Sequence, residues 1–218
     1  RAALDRSRDE VRSPDLVTGW VIGVDETGTA VILHTVNGGQ LWVVQGDSTL
    51  WTGFVGNDIS AVDETTAWAA VGSADDGKIL HTSDGGATWA PQVIPEGVGP
   101  VKQVKGLSRQ LAWAASLDGT ILRTTDGGAV WSVVPHPGVP IHQVNRMDAV
   151  GLVDTDVRIV DEQGGKLGMI HSRNGGVTWR NEFVDYATDG GSPGLHMVAT
   201  FSRKEAWCAA WNLGILYR

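Results

Sequence analysis

The sequence predicts an all-β protein, a β-propeller of four-stranded antiparallel blades. Three observations support this fold class: a segment that occurs four times, many glycines and tryptophans, and no stretch with helical periodicity. The chain of 218 residues contains 29 glycines and 10 tryptophans. This composition is typical of short strands joined by tight turns and covered by large aromatic side chains.

The repeated segment contains a turn that ends in tryptophan. It spans residues 32–42, 79–89, 121–131 and 169–179, and its closing tryptophans lie 47, 42 and 48 residues apart. We call its last eight residues the box turn. The recurring positions are a hydroxyl residue, an Asp or Asn, a second glycine and the tryptophan: Thr35, Asn37, Gly39 and Trp42; Thr82, Asp84, Gly86 and Trp89; Thr124, Asp126, Gly128 and Trp131; Ser172, Asn174, Gly176 and Trp179.

Each position of the box turn has a structural explanation. The Asp or Asn side chain can accept hydrogen bonds from the backbone two residues further along, and the hydroxyl can do the same from the other side. The glycines supply the positive φ of a tight hairpin. The tryptophan covers the turn and packs between blades. We therefore interpret these residues as scaffold.

The repeat divides the chain into five units of one propeller domain. They are expected at about 10–50, 57–95, 99–136, 140–186 and 194–218, the last of which residues 1–9 would complete. In the third unit the strands are predicted at about 101–107, 111–116, 120–124 and 130–135. A second tryptophan precedes most boxes, and in the fourth unit Ala149-Val150 is expected to take its place; the tryptophans are Trp20, Trp68, Trp113 and Trp207. The sequence therefore favours five blades with an incomplete or terminus-completed fifth, and a larger ring that has lost blades is the alternative.

Two segments carry a family resemblance. Thr82 to Trp89 resembles the Asp-box, also called the BNR repeat, and Ala67 to Trp89 is similar to the photosystem II stability/assembly factor family. The resemblance covers the chain from about Val11 onward, although Leu41 and Val130 replace the usual small hydroxyl residue. It implies a β-propeller and a secreted or periplasmic protein. Because sialidases, xyloglucanases and sortilin-type receptors share the box, it leaves the function open.

Composition and motifs argue against several functions. The net charge of −8 argues against nucleic-acid binding, and no apolar run reaches the roughly 18 residues that insertion into a membrane requires. Cys208 is the only cysteine, which excludes an internal disulfide and favours an inert buried thiol. The chain contains no Walker loop, no nucleophile elbow and no Phe-Arg-Ile-Pro motif of the sialidase type. We expect no catalytic residues and no cofactor.

Candidate binding residues fall on the rim opposite the box turns, where loops join strands two and three and where blades are connected. Acidic residues gather there: Asp25, Glu26, Asp75, Asp76, Asp118, Asp161 and Glu162. Paired carboxylates could catalyse glycoside hydrolysis or bind calcium. Solvated turns rich in aspartate are the interpretation that turn chemistry favours.

Aromatic and cationic residues extend the candidate surface. Trp51, Phe54, Tyr186 and Trp211 lie outside the repeat pattern and could contact a sugar or a peptide, whereas Trp211 could instead be core. A cationic collar at the channel mouth would come from residues aligned as equivalents: Arg12, Ser60, Lys102, His142 and His196. One alternative is a hydrated channel lining, and another, because His136 is near His142, is a metal site. We favour the hydrated lining and assign no metal.

These patterns lead to three hypotheses. The first is a non-catalytic binding or scaffolding propeller that recognises a glycan or a protein on the rim opposite the boxes. The second is a glycoside hydrolase that uses two carboxylates among Asp75, Asp76, Asp118 and Asp161. The third is a structural subunit of a larger assembly, in which the unpaired edge of the incomplete blade would pair with another chain to form an oligomer.

Overall fold

A computed structural model describes residues 10–12, 17–136, 141, 144–153, 155–163, 166–184, 195–202, 205–210 and 216–217. These residues form five antiparallel sheets, four with four strands and a fifth with three. Blades one and two contain β1 (Glu10–Arg12), β2 (Gly19–Val24), β3 (Ala30–Thr35), β4 (Val43–Gln45), β5 (Val55–Ala61), β6 (Ala67–Gly72), β7 (Gly77–Thr82) and β8 (Ala90–Pro91). Blade three contains β9 (Val101–Gly106), β10 (Ala112–Ser116), β11 (Ile121–Thr124) and β12 (Ser132–Val133).

Blades four and five follow the same order. Their strands are β13 (Val144–Val150), β14 (Asp156–Gln163), β15 (Lys166–Ser172), β16 (Arg180–Val184), β17 (Leu195–Ser202), β18 (Glu205–Ala210) and β19 (Leu216–Tyr217). A 3₁₀ helix, Ser48–Trp51, connects blades one and two. In the described part of the chain, no helix has the length and apolar character needed to cross a membrane.

The predicted all-β architecture of four-stranded antiparallel blades is confirmed, and the described residues of the fifth blade form three strands. The four strands expected in the third unit occur with ends shifted by at most a few residues. Residues 1–9, expected to complete blade five, lie outside the described residues.

Successive blades pack through three apolar joints. Alternate residues of a strand face opposite sides of the sheet, so each blade presents one apolar set to the preceding blade and another to the following blade. At each of these joints, which link blades one to four, a second-strand tryptophan shares a cluster with the box tryptophan of the next blade: Trp20 with Trp89, Trp68 with Trp131, and Trp113 with Trp179. The rings of Trp68 and Trp131 meet edge to face with centroids 5.7 Å apart.

Innermost strands are also joined by side-chain hydrogen bonds to the backbone. The Asp58 carboxylate accepts from the Val104 amide at 2.9 Å, and the Ser60 hydroxyl accepts from the Gly106 amide at 3.0 Å. Asp148 accepts from the Thr200 amide at 2.6 Å in the same way. These bonds satisfy backbone donors that a strand without an inner neighbour would leave open.

The prediction that Ala149-Val150 replaces the second-strand tryptophan in blade four is wrong. Ala149-Val150 belongs to the first strand, β13, and Val150 pairs with Asp156. Arg158 occupies the tryptophan position, because it pairs with His171 as Trp68 pairs with His81. The Arg158 side chain is almost fully buried.

Candidate functional site

The four box turns share one hydrogen-bond pattern. In the second, the Thr82 hydroxyl donates to the Asp84 carboxylate (2.9 Å) and accepts from the Gly86 amide (2.9 Å). The carboxylate also accepts from the Thr88 amide at 2.9 Å. The other three turns repeat these bonds. The Asp or Asn oxygen therefore accepts from the backbone amide four residues further along the chain, not two as expected.

The box turns also contact the blade before them. A Cβ added to Gly128 would lie 3.0 Å from the Trp68 ring, and one added to Gly176 would lie 3.1 Å from the Trp113 ring. Gly128 has a φ of +88°. Glycine is thus favoured here both by the backbone conformation and by the close approach of an indole. These contacts support the interpretation of the box residues as scaffold.

The acidic residues expected on the opposite rim are engaged in turns. Asp118 accepts hydrogen bonds from the Ser116 hydroxyl and from the Thr120 and Gly99 amides (3.0 and 3.1 Å). Burial acts to raise the pKa of Asp118, but these hydrogen bonds outweigh it and hold the pKa below its usual value. Asp76 accepts from the Gly77 amide at 2.7 Å, whereas Asp75 is exposed.

Asp25 follows the same pattern, with bonds from the Thr27 hydroxyl (2.7 Å) and the Thr27 and Thr29 amides. The Thr27 hydroxyl is the main reason that the pKa of Asp25 is lowered. Within the described part of the chain, no three His, Cys, Asp or Glu side chains are grouped to hold a metal ion. Nothing is described of the side chains of Asp161 and Glu162.

The prediction of an exposed indole at Trp51 is wrong. Trp51 is 1% exposed, lies in the core between blades one and two, and donates through Nε1 to the Ala30 carbonyl at 2.9 Å. Phe54 is half-buried against the same core, and the Lys78 ammonium lies 4.5 Å from its ring centroid. Tyr186 and Trp211 lie outside the described residues.

The alignment behind the cationic collar is also wrong. Register with the second strands makes Arg12, Ser60, Lys105, Asp148 and Ala199 the equivalent residues. Lys102 and His196 therefore occupy other strand positions, and His142 lies outside the described residues. Lys105 and Asp148 form an ion pair of 2.7 Å, so this layer carries charges of both signs.

A groove of about 400 Å³ lies on the box rim, between blades three and four. We define the box rim as the rim that carries the box turns and the loops between first and second strands. Hydrogen bonds tie these two kinds of loop together: the Gly175 amide donates to the Thr155 carbonyl and the Gly127 amide to the Gln110 carbonyl. The groove is lined by Leu111, Arg123, Thr125, Leu152, Thr155, Asn174 and Gly175.

Arg123 lies at the base of this groove. Its Nη1 donates to the Gly175 carbonyl across the joint at 2.8 Å, and its guanidinium lies 5.4 Å from the Trp113 ring centroid. Arg123 occupies the third-strand position where blades one and two carry His34 and His81, which stack on Trp20 and Trp68. A guanidinium has five N–H donors, so groups beyond the one bound to Gly175 can serve a ligand.

More than half of the large exposed apolar side chains lie on the box rim. Among the described residues seven of twelve are there, and the other five are on outer strands or the opposite rim; the seven are Val17, Val36, Leu41, Val130, Leu152, Val153 and Val177. Leu152 and Val153 are 63% and 79% exposed and stand beside the groove. Sequence reasoning missed this surface because it set the box rim aside as scaffold. An apolar pair in a loop, Leu152-Val153, was the available signal.

Comparisons with known proteins show the fold. No protein-family model matches the chain, and no curated protein matches its sequence. The structure is similar to YCF48 bound to D1 peptide, with a TM-score of 0.52, 18% identity, and coverage of 99% of this chain and 95% of that one. It is also similar to YCF48 from Cyanidioschyzon merolae, with a TM-score of 0.65, 16% identity, and coverage of 91% and 62%.

A fucose-recognising lectin from Aleuria aurantia, a six-bladed β-propeller, is similar with a TM-score of 0.59, 12% identity, and coverage of 96% of this chain and 77% of the lectin. At these identities the likeness establishes a β-propeller. Because one fold carries many functions, activity has to be argued from the residues of this chain.

Proposed function

We propose that this protein is a non-catalytic β-propeller that binds a protein partner through its box rim, and that its box turns are Asp-boxes. The observation that carries the proposal is the concentration of exposed apolar side chains on that rim, next to an open groove. Exposed apolar surface bordered by polar groups is typical of protein-binding sites. The likeness to a propeller that binds a peptide agrees with it.

Glycan binding is the second candidate, since a lectin propeller is among the similar structures. Sugar sites in proteins commonly use an exposed aromatic ring as a stacking surface. Six tryptophans are at most 3% exposed, and Trp42 and Trp179 are half-buried, so none of these eight offers a fully open ring; the six are Trp20, Trp51, Trp68, Trp89, Trp113 and Trp131. The groove has no aromatic lining residue. The residues therefore favour a protein partner.

Hydrolysis is disfavoured by how the carboxylates are used. Asp118 and Asp76 accept hydrogen bonds from their own turns, and the lowered pKa of Asp118 makes it a poor general acid near neutral pH. A retaining or inverting glycosidase needs one carboxylic acid that is protonated when the substrate binds.

The test uses the full chain against two probes, a glycan array and a displayed library of random linear peptides. We expect peptides to be retained, sugars not to be retained, and no turnover on a panel of glycosides. Retention of a sugar without any peptide would overturn the proposal. So would glycoside turnover that the Asp118→Asn variant loses.

A further inference from the structure

We infer that the groove between blades three and four binds an extended peptide segment that inserts one branched apolar side chain beside an acidic or neutral residue. This inference rests on the proposed function and names the partner that the rim selects. The inserted side chain would contact Leu111 and Leu152, and the flanking peptide groups would contact Thr125 and Arg123.

Both blades contribute apolar and polar groups to the groove. Leu111 of the loop before β10 and Leu152 of the loop before β14 supply apolar surface from different blades. Leu111 is partly buried against the core of this joint, so it is held in place, whereas Leu152 is largely exposed. Burying Leu152 and Val153 on binding would remove apolar area from water, which is the main favourable contribution to protein association.

The polar lining residues favour main-chain recognition. Thr125 is exposed at the turn of the third box, and the Arg123 guanidinium is fixed by Trp113 and by the Gly175 carbonyl. A fixed guanidinium binds an acceptor with little loss of side-chain entropy. A groove that offers both apolar and hydrogen-bonding groups suits an extended peptide, which presents side chains and amides in alternation.

Charge sets the remaining preference. The lining contains one arginine and no carboxylate, although the whole chain has a net charge of −8. Beside the lining, the exposed Arg173 is paired with Asp156 and the exposed Asp126 carries the opposite charge, so neither sets a preference. Because a basic residue would meet the Arg123 guanidinium inside the groove, the groove favours acidic or neutral residues beside the apolar anchor.

The volume fits this occupant. About 400 Å³ lies at the small end of the range for ligand pockets, enough for one side chain and its flanking backbone. The groove also lies at a joint that is packed on its inner side by Trp113, Ile159 and Ile170. Its two walls are therefore supported by the core of the joint and do not depend on a single loop.

The experiment selects peptides from a displayed library of random linear peptides on the full chain and measures their affinity for variants. We expect the selected peptides to be enriched in Leu, Ile, Val or Met next to Asp or Glu. Leu152→Asp should weaken binding about tenfold or more, because it places a charge where the apolar side chain packs. Val93→Asp is the matched control: Val93 is 83% exposed and lies between blades two and three on the other rim.

The outcomes separate this inference from the proposed function. Selected peptides that bind Leu152→Asp and the parent equally would overturn the groove while leaving a protein-binding propeller. Peptides enriched in Lys and Arg would overturn it as well. Failure to select any peptide counts against both. Both substitutions are at exposed positions, and matching thermal unfolding of the two variants confirms that the folded state is intact.

Discussion

Blades two and four place different residues at equivalent positions near the start of the second strand, uncharged in blade two and charged in blade four. In blade two Trp68 stacks on His81 with ring centroids 3.9 Å apart, and the buried Thr66 lies immediately before the strand. In blade four the equivalents are Arg158, His171 and Asp156. Arg158 Nη2 and Asp156 Oδ2 are 3.4 Å apart, and both side chains are at most 5% exposed.

The difference follows from what lies across the next joint. A Cβ on Gly106 would approach Trp68 Cδ1 to 2.6 Å, and the equivalent residues packed in the clusters of Trp20 and Trp113 are the small Ala61 and Ala149. The register of β17 with β18 makes Thr200 the equivalent of Gly106 in blade five. A tryptophan at position 158 would therefore meet a branched side chain. Blade four has a buried ion pair at the place where the other joints have an indole, which teaches that the fold tolerates either solution.

The largest effect on stability is expected at the apolar joint between blades two and three. Trp68→Ala should lower the free energy of unfolding by about 3–5 kcal/mol, because it empties the space between His81 and Trp131. Urea denaturation measures this loss. Trp42→Ala is the matched control, since Trp42 is only partly buried, and it should cost less. Equal losses in the two variants would show that burial at this joint does not set its stability.

The ion pair of blade four should respond differently to single and paired substitutions. Asp156→Thr, which installs the residue of blade two, leaves Arg158 buried without its carboxylate and should cost about 3 kcal/mol. Asp156→Thr combined with Arg158→Met should recover that loss, because a buried ion pair replaced by apolar groups is often neutral or stabilising. Urea denaturation of both singles and the double gives the coupling energy.

The double-substitution cycle can contradict the comparison. Additive losses would mean that Asp156 and Arg158 act independently and that the pair is not the counterpart of Trp68 and its neighbours. Arg173, whose Nε is 3.9 Å from Asp156 Oδ2, is exposed and should contribute little. Arg173→Gln therefore serves as the control at the same carboxylate.

The repeat made most of the fold predictable. Box turns recur in sequence because each needs the same hydroxyl, acceptor, glycine and tryptophan, and the strand order follows from their spacing. Blade four was harder, since its second strand has no tryptophan. The alignment then took the apolar Ala149-Val150, although a buried Arg158 occupies the position. Local pattern cannot reveal a polar substitution that is compensated by Asp156 from the same strand.

The candidate site was less predictable than the fold. Trp51 lies outside the repeat pattern and was therefore expected on the surface, but a connecting segment can be as buried as a strand, and its indole bonds to Ala30. The groove requires Leu111 and Leu152, which are 41 residues apart in sequence and meet only when two blades pack. Single-chain periodicity identifies the joints, whereas surfaces formed by loops of two blades require coordinates.

The smallest expected effect concerns the histidines of the apolar joints. Burial lowers the pKa of His81 and of His34, so both bind a proton less readily in the folded protein than in the unfolded chain. The unfolded chain binds more protons near pH 6.5. Stability is therefore fully present above about pH 6.5 and is lost as the pH falls through the folded-state pKa values.

Replacing both residues with Phe keeps an aromatic partner for Trp20 and Trp68 and removes the titration. Between about pH 7 and pH 5 the free energy of unfolding of His34→Phe/His81→Phe should fall less steeply than that of the parent, because carboxylates titrate mainly below this range. Urea denaturation across the range measures the two slopes. Parallel slopes would show that protonation of the stacked histidines carries no desolvation cost, and that the apolar joints accept a charge as the ion-pair site of blade four does.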